Sequence, residues 1–569
     1  MHYLSDGIQL DWEHLHGRGT PFPHCLSMHF PLVHPLGDNA GDGGNGDFAG
    51  SLIDTSFAGF EPLNTAEAHA LATAVAHQTN IGYLDQAATQ IAGVGGDGGN
   101  WNAALGGSVA AFGSVGSDVI STGDNGAGNG GDGQFFGALV HAPVAVYDPI
   151  DTAVAGSNGF ADAQQSNVVQ LHQGAVQIAG VGGNGGNGNA ATGGDLSVFG
   201  KAAAGHNWTS ADHIASGANH AGNGGDGYFY GGIIHASMVV YEPINISVSA
   251  GYGSIAEADQ TNNVNFNQSA VQMAGTGGNG GDGNIASGGN VGISSSGSDV
   301  IATGGNSAGN GGNGYFSGAL VDAPVVIYDP INIAVAGSGG TAEASQSNTV
   351  EINQSAVQVA GVGGNGGSGN AAIGGDLSTP GSASPSGGWQ MIQSGGNQAG
   401  NGGDGYFHGS LVHTSVALYD PVNIAVAGYH SSTYADQTNN VNLDQSSSQM
   451  AGVGGNGGSG NVAMGGSGIV FSGPGGGSDA IATGGNGAGN GGSGHFSGSL
   501  VDVSVAIYAP INIAIAGPHS TAEADQINNV HLDQSAIQIA GIGGDGGHGN
   551  AALGGDIAMH LLSDLHLMT

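Results

Sequence analysis

The clearest pattern in this chain is a strict alternation of two kinds of side chain over residues 342–360. A period of two predicts a β-strand whose two residue sets face opposite sides of a sheet. The first set is Ala342, Ala344, Gln346, Asn348, Val350, Ile352, Gln354, Ala356, Gln358 and Ala360. The second set is Glu343, Ser345, Ser347, Thr349, Glu351, Asn353, Ser355, Val357 and Val359.

The same stretch occurs six times, with the landmark Gln-x-Asn-x-Val-x-Leu-x-Gln-x-x-x-Gln. It begins at Gln78, Gln165, Gln260, Gln346, Gln437 and Gln526, so successive copies start 86 to 95 residues apart. A repeat of this kind predicts one structural unit stacked on its neighbours. The first residue set barely changes between copies and the second varies, so we expect the first set to be packed inside.

The packed set carries amides, and a buried amide needs a hydrogen-bond partner. Stacking identical amides from successive copies into ladders would supply one, as in cross-β structures. The candidate ladder residues are Gln78, Asn80, Gln86, Gln165, Asn167, Gln173, Gln260, Asn262, Gln268, Gln346, Asn348, Gln354, Gln437, Asn439, Gln445, Gln526, Asn528 and Gln534.

Glycine follows a second pattern, with a period of three. Residues 179–189 (AGVGGNGGNGN) and 221–227 (AGNGGDG) divide into triplets with one polar residue each. Three residues per turn is the geometry of an extended polyproline II helix, so these segments predict polyglycine II-type helices that pack side by side. The alternative is a flexible glycine-rich linker.

A Tyr-Asp-Pro-Ile-Asn segment at 328–332 recurs with small changes in the other copies and predicts a bend or an edge, since proline cannot donate to a ladder. The sequence thus predicts an all-β protein of six repeats of about 90 residues, in a stacked β-solenoid or layered architecture with glycine-rich helices. Residues 1–38 form a non-repetitive assembly segment, 39–555 the repeat body and 556–569 an apolar tail.

Charge excludes several partners. The chain has 42 acidic residues against two basic ones, Arg18 and Lys201, and a net charge of -40. Binding to a nucleic-acid backbone or to an anionic membrane needs Lys and Arg, so neither partner is expected. We also expect no membrane insertion, because no run of about 18 apolar residues occurs. Cys25 is the single cysteine, so no intrachain disulfide forms.

Export is expected without a classical signal peptide, because the N-terminus lacks a basic segment followed by an apolar stretch. Few tryptic sites suit a protein at the cell surface or outside the cell. The tail DIAMHLLSDLHLMT resembles the C-terminal signals of type I secretion substrates. The alternative is a cap or joint at the end of the last repeat.

Residues 221–229 resemble one calcium-binding nonapeptide of the RTX family, GGxGxDxUx, apart from Ala221 at its first position. This resemblance implies Ca²⁺ as a possible ligand, with carboxylates supplied once per copy. The candidate metal residues are Asp132, Asp226 and Asp404. Asn313 and Ser493 replace the aspartate in other copies. No other cofactor is expected.

The position after the Leu-Val pair alternates between two residue types. Its residues are Asp54, His141, His235, Asp322, His413 and Asp502. Stacked copies would make a column able to bind a divalent metal or to titrate near neutral pH. The interpretation we favour from sequence is a polar strand-end residue in water. A second metal candidate is the N-terminal cluster, although its spacings match no standard zinc site. It comprises His14, His16, His24, Cys25, His29 and His34.

The strand motif itself, Asn439-x-Val441-x-Leu443-x-Gln445, resembles the curlin repeat, whose family forms secreted cross-β fibres. The resemblance implies a stacked β-unit with amide ladders in an extracellular fibre. The departure is spacing, since curlin repeats are much shorter and follow one another directly. The glycine triplets likewise resemble the polyglycine bundles of some phage tail-fibre adhesins.

We therefore expect a non-enzymatic structural protein that self-associates into an extracellular filament, sheath or matrix. Every notable residue recurs about six times, whereas catalytic residues differ from their surroundings. The alternative is a surface or phage-type adhesin that binds glycans through the variable linkers 191–218, 286–302 and 378–396. Those linkers contain Trp208 and Trp389, which suit carbohydrate contact.

Overall fold

A computed structural model describes residues 32–33, 38–112, 119–199, 212–294, 299–379, 391–472, 480–555 and 557–561. In these residues the chain is all β, with no helix, and its strands form seven parallel sheets. The chain passes through the sheets in one constant order, which numbers them here from sheet 1 to sheet 7. The prediction of an all-β protein with stacked parallel sheets is confirmed.

Sheets 1 to 3 begin each passage of the chain. Sheet 1 contains Asn39–Ala40, Asn125–Ala127, Asn219–Ala221, Asn306–Ala308, Asn397–Ala399 and Asn486–Ala488. Sheet 2 contains Gly46–Asp54, Phe57–Phe60, Gly133–His141, Val144–Tyr147, Gly227–His235, Met238–Tyr241, Gly314–Asp322, Val325–Tyr328, Gly405–Tyr419 and Gly494–Tyr508. Sheet 3 contains Leu63–Glu67, Ile150–Ala155, Ile244–Ser249, Ile331–Ala336, Val422–Ala427 and Ile511–Ala516.

Sheet 4 holds the longest strands, and three short-stranded sheets follow it. Sheet 4 contains Thr73–Val94, Phe160–Val181, Ile255–Thr276, Thr341–Val362, Ser432–Val453 and Thr521–Ala540. Sheet 5 contains Ala103–Leu105, Ala190–Thr192, Ile285–Ser287, Ala371–Ile373, Val462–Met464 and Ala551–Leu553. Sheet 6 contains Val109–Phe112, Leu196–Phe199, Val291–Ser294, Leu377–Thr379, Gly468–Ser472 and Ile557–Leu561. Sheet 7 contains Leu32–Val33, Val119–Ser121, Asp212–Ala215, Asp299–Thr303, Met391–Ser394 and Ala480–Thr483.

Register places equivalent residues side by side. Gln260 in sheet 4 pairs with Gln165 on one side and with Gln346 on the other, and the rest of the strand follows the same register. A slip by one residue would turn the packed set outward, so the alternation excludes that register. Each motif position therefore forms a column through the six copies.

The core lies between facing sheets, with sheet 4 at its centre. Tyr241 and Val239 of sheet 2 pack with Val264 and Phe266 of sheet 4, and all four are nearly inaccessible to solvent. Alanine columns join sheet 3 to sheet 4 and sheet 1 to sheet 5. Along Thr341–Val362 the invariant set is the buried one, as predicted. Pro330 lies in the break between the strands ending at Tyr328 and beginning at Ile331, where a bend was expected.

The glycine triplets are held by backbone hydrogen bonds to one another. The N–H of Gly312 donates to the carbonyl of Gly278, and the N–H of Gly364 donates to the carbonyl of Gly312, both at 2.8 Å. Along this chain of bonds, glycine segments that follow a strand of sheet 4 alternate with glycine segments that precede a strand of sheet 2. A Cβ atom at Gly312 would collide with the carbonyl of Gly225, so the close approach of backbones requires glycine there.

Candidate functional site

Four columns of amide side chains run through the buried face of sheet 4. In the asparagine column each Nδ2 atom donates to Oδ1 of the equivalent residue in the next copy, at 2.8 Å in all five steps. Its members are Asn80, Asn167, Asn262, Asn348, Asn439 and Asn528. Because the four central members are at most 1% exposed, the ladder satisfies amides that water does not reach.

Three glutamine columns accompany it. Two contain predicted ladder residues: Gln78, Gln165, Gln260, Gln346, Gln437 and Gln526 in one, and Gln86, Gln173, Gln268, Gln354, Gln445 and Gln534 in the other. The third, which closes the sequence motif but was not among the candidates, contains Gln90, Gln177, Gln272, Gln358, Gln449 and Gln538. Rung distances lie between 2.6 and 3.1 Å.

The asparagine and glutamine columns differ in the direction in which their amide groups donate hydrogen bonds. Nε2 of Gln260 donates back to Oε1 of Gln165 at 2.8 Å and also to the carbonyl of Pro243 at 3.0 Å. Asparagine amides donate toward the C-terminal copies, whereas glutamine amides donate toward the N-terminal copies. The ladder dipoles therefore oppose one another, and every stack has one donor end and one acceptor end.

Tyrosines of sheet 2 connect to the asparagine column. The hydroxyl of Tyr241 donates to Oδ1 of Asn262 at 2.7 Å, and Tyr419 makes the same bond to Asn439. Successive tyrosine rings stack with centroids 4.8 to 5.1 Å apart. Burial raises the pKa of the Tyr241 hydroxyl well above its ordinary value, so the group stays a donor.

Sheet 3 carries a further polar column that sequence reasoning missed. Its members are Asn64, Asp151, Asn245, Asn332, Asn423 and Asn512. Nδ2 of Asn245 donates to Oδ1 of Asn332 at 2.9 Å, and Asn64 donates to Asp151 at 2.7 Å. The available signal was an asparagine, replaced by Asp151 in the second copy, two residues after the proline of each copy of this segment.

Asp151 occupies an amide position in this column. Burial raises the pKa of its carboxyl to about 7, and the hydrogen bond from Asn64 opposes that rise. Its Oδ2 atom and Oδ1 of Asn245 are both buried and have no hydrogen-bond partner among the described residues. A protonated Asp151 has the missing donor, because a neutral carboxyl can give its O–H to an amide oxygen.

The histidine and aspartate column of sheet 2 corrects a prediction. We expected polar strand-end residues in water, but His141, His235, Asp322 and His413 are 0 to 1% exposed. The expectation was wrong because this position points inward, between the second and third glutamine columns. Gln86 donates to the carbonyl of Val144 and Gln90 to that of Val140, on either side of it.

Within this column Asp54 and Asp322 contact imidazoles, and Asp502 is paired in register with His413. Oδ1 of Asp322 lies 2.6 Å from Nδ1 of His235, and Oδ2 lies 2.8 Å from Nδ1 of His413. Asp54 lies 3.0 Å from Nδ1 of His141. Burial opposes charge on Asp322, but its hydrogen bonds from both histidines outweigh that effect and hold its pKa below the ordinary value. Burial, and next His235, lower the pKa of His141.

The candidate calcium residues also form a column of one side chain per copy. Oδ1 of Asp132 accepts the backbone N–H of Asp226 at 2.8 Å, and Oδ1 of Asp404 accepts that of Ser493 at 2.6 Å. Asn313 separates Asp226 from Asp404. In the described part of the chain no group of three or more His, Cys, Asp or Glu side chains is placed to hold a metal ion. Calcium binding stays a prediction.

Several predicted site residues lie outside the described residues. These are His14, His16, His24, Cys25, His29, His34, Trp208 and Trp389. The linker predictions fall only partly within the described ranges.

Among the described residues, no further strand pairs with the outermost strands at either end of the stack. The first-copy edge comprises the strands from Asn39–Ala40 to Val109–Phe112 together with Leu32–Val33 of sheet 7. The sixth-copy edge comprises the strands from Asn486–Ala488 to Ile557–Leu561 together with Ala480–Thr483 of sheet 7. Leu532 in the sixth copy is 49% exposed, whereas Leu443, its equivalent one copy earlier, is 6% exposed. An unpaired edge of this length is a template for pairing with another chain.

Neither a membrane-spanning helix in the described residues nor a similar known protein indicates the function of this chain. No helix long and apolar enough to cross a membrane occurs among the described residues. Comparison with known proteins gives no significant match to a protein-family model, to a curated protein or to a solved structure. The function proposed below therefore depends on the geometry.

Proposed function

We propose that this chain is the structural subunit of a self-assembling filament, sheath or matrix outside the cell, joined through its ends by strand-edge pairing. The observation that carries the proposal is the pair of open sheet edges described above. Each column of the interior ends at these edges with backbone and amide groups that have no ladder partner among the described residues. A head-to-tail contact of this kind does not close on itself unless rotation makes a ring, and so it propagates.

The architecture that fits this function is a six-turn β-solenoid flanked by polyglycine II-type helices. Support for the solenoid comes from the constant order of the seven sheets and their in-register parallel pairing. Support for the polyglycine helices comes from their bonds in two directions. The N–H of Gly95 donates to Val181 of the next copy, while that of Gly96 donates to Gly44 of the neighbouring segment.

Amide ladders suit a mechanical role. Every rung adds hydrogen bonds that water cannot easily compete for, because the amides are buried. The resemblance to curlin repeats supports the same function. The net charge of -40 would keep filaments from clumping laterally, and cations such as Ca²⁺ would relieve that repulsion.

Electron microscopy of the purified protein tests this proposal. We expect regular fibres at some condition between about pH 5 and pH 8, with and without millimolar calcium. Loss of fibres in a chelator would assign calcium to Asp132, Asp226 and Asp404. Discrete particles under every condition would contradict a structural polymer.

The adhesin alternative predicts such discrete particles together with glycan binding. Its proposed contact residues, Trp208 and Trp389, lie outside the described residues, and no feature of the described part of the chain favours it. A glycan array would then be the next experiment.

A further inference from the structure

The two open edges of this molecule are complementary in detail. Asn528 is the last rung of the asparagine column, and its Nδ2 donates to no described residue, whereas Oδ1 of Asn80 in the first copy accepts from none. The glutamine column that runs from Gln78 to Gln526 has the opposite direction, so Oε1 of Gln526 is the open acceptor. Nε2 of Gln78 donates one hydrogen to the carbonyl of Pro62 and has a second hydrogen for the ladder. A sixth-copy edge placed on a first-copy edge would therefore continue both ladders.

Aromatic and charged columns also continue across such a contact. Phe496 and Phe48 end the same phenylalanine stack, whose rings lie 4.9 to 5.4 Å apart inside the molecule. Tyr508 would meet Phe60 in the tyrosine stack. On the outer face Asp525 would lie beside His77, which places an acid against a base.

One inward-facing column would not be complementary across the contact. The acid and imidazole column ends in Asp54 on the first-copy edge and in Asp502 on the sixth-copy edge. Inside the molecule every acid of this column has a histidine neighbour, as in the Asp54–His141 contact. Across the contact two carboxylates would be consecutive, one strand spacing of about 4.8 Å apart.

Among the described residues of this column, the titratable neighbours of the pair would be one histidine on the far side of each acid. His141 lies beside Asp54, and His413 lies beside Asp502 in register. The inward residues of the opposite strand are the uncharged Gln86, Ala88 and Gln90 in the first copy. Two further acid pairs, Asp85 with Asp533 and Asp97 with Asp545, would face outward, where salt screens them.

We propose that a second copy of this chain docks head to tail, its first-copy edge on the sixth-copy edge, parallel and in register, and that the contact closes when Asp54 and Asp502 share a proton. The proposal deepens the filament proposal and rests on it. Like-charged groups brought together out of water cost several kcal/mol, whereas one shared proton turns the repulsion into a hydrogen bond. Subunit addition therefore strengthens as pH falls.

The test measures the critical concentration for polymerisation by sedimentation, in EDTA so that protons are the available neutralising ions. We expect the wild type to polymerise at a concentration about tenfold lower, or more, at about pH 5 than at about pH 7.5. Asp502→His, which restores the acid–imidazole alternation, and Asp502→Asn should remove most of that difference. Asp444→Asn is the matched control, since it removes one acid from the outer face of the fifth copy, away from the contact, and should leave the difference intact.

A second variant tests the register. Nothing lies within 4 Å of a Cβ atom at Gly44 within one molecule, but at the next position of that column a Cβ at Gly131 would collide with the carbonyl of Gly44. Across the contact the Cβ of Gly44→Ala would meet Gly492 of the neighbour in the same way. This variant should melt like the wild type and fail to polymerise at either pH.

The outcomes separate the two proposals. Polymerisation of all Asp502 variants with the pH dependence of the wild type would overturn the shared proton but leave the filament standing. Normal polymerisation of Gly44→Ala would overturn the in-register contact. Absence of polymer from the wild type and from Asp502→His at every pH would overturn both the contact and the filament.

Discussion

Tyr328 donates its hydroxyl proton to Oδ1 of Asn348 at 2.7 Å, and both residues are fully buried. The same oxygen accepts a hydrogen bond from Nδ2 of Asn262 in the copy before, at 2.8 Å. Two columns from different sheets thus share one acceptor. Since the bond recurs along the stack, sheets 2 and 4 are fastened at regular intervals and not at a single site.

Removing one asparagine rung should destabilise the whole stack. Asn348→Ala leaves the donors of Asn262 and Tyr328 buried without an acceptor, which costs about 2–4 kcal/mol. Tyr328→Phe removes a donor and keeps the ring, as Phe60 does naturally, so we expect a loss of about 1 kcal/mol. Urea unfolding followed by circular dichroism measures both. The outward Thr349→Ala is the control, and an equal loss in that variant would contradict the ladder's importance.

Asp151 should make stability depend on pH. Its carboxyl has a pKa raised to about 7 in the folded chain, from 3.8, because of burial. The neutral form favours folding, so this contribution is complete below about pH 4 and is lost as pH rises toward 7. Asp151→Asn completes the amide column, and should stabilise the protein at pH 8 by on the order of 4 kcal/mol.

Thermal unfolding of the wild type and Asp151→Asn at several pH values checks this. The difference between the two should be near zero at about pH 4 and should grow up to about pH 8. A constant difference across that range would mean that Asp151 is already ionised in the folded protein.

The stability that Asp322 contributes should change with pH in the opposite direction to that contributed by Asp151. Burial disfavours its charge, yet the hydrogen bonds from His235 and His413 hold its pKa below the ordinary value, so its stabilisation is lost as pH falls through that lowered pKa. Asp322→Asn removes the charge both imidazoles face and should cost about 3–5 kcal/mol at neutral pH. Asp376→Asn, on an exposed rung, is the control. Equal melting of these two variants would contradict the buried contact.

The effect of replacing a glycine of the triplets by alanine should depend on its position in the stack. Gly312→Ala places a Cβ against the carbonyl of Gly225, so we expect a lower melting temperature or no soluble protein. At Gly44, the same position of the first copy, a Cβ atom has open space. The free energy of unfolding of Gly44→Ala should therefore lie within about 0.5–1 kcal/mol of that of the wild type. Similar melting of the two would show that the segments behave as flexible linkers.

Much of the fold follows from the alternation and the repeat. Residues 342–360 predict a strand, and the strand runs from Thr341 to Val362. Register follows because a slip by one residue would turn the buried face outward, and a slip by two would separate the matching amides of successive copies. The direction of each ladder could not be predicted, because it depends on three-dimensional contacts such as that of Gln260 with the carbonyl of Pro243, in the break between strands of sheets 2 and 3.

The buried charged groups were harder to predict. His235 and Asp322 alternate in a column that looks variable, and variable polar positions usually face water. Their burial becomes evident only when the glutamine columns on either side are placed in space. Asp151 has a simpler signal, since alignment of the copies sets it against Asn245 and Asn332.

Electron cryomicroscopy of assembled protein tests the filament most directly. Head-to-tail addition of six stacked copies predicts a strong axial spacing of about 4.8 Å and a molecular rise of about 29 Å, six strand spacings. Filaments with these two values would support the account. Discrete particles at every pH, or filaments in which the strands of neighbouring molecules do not stack along the axis, would contradict it.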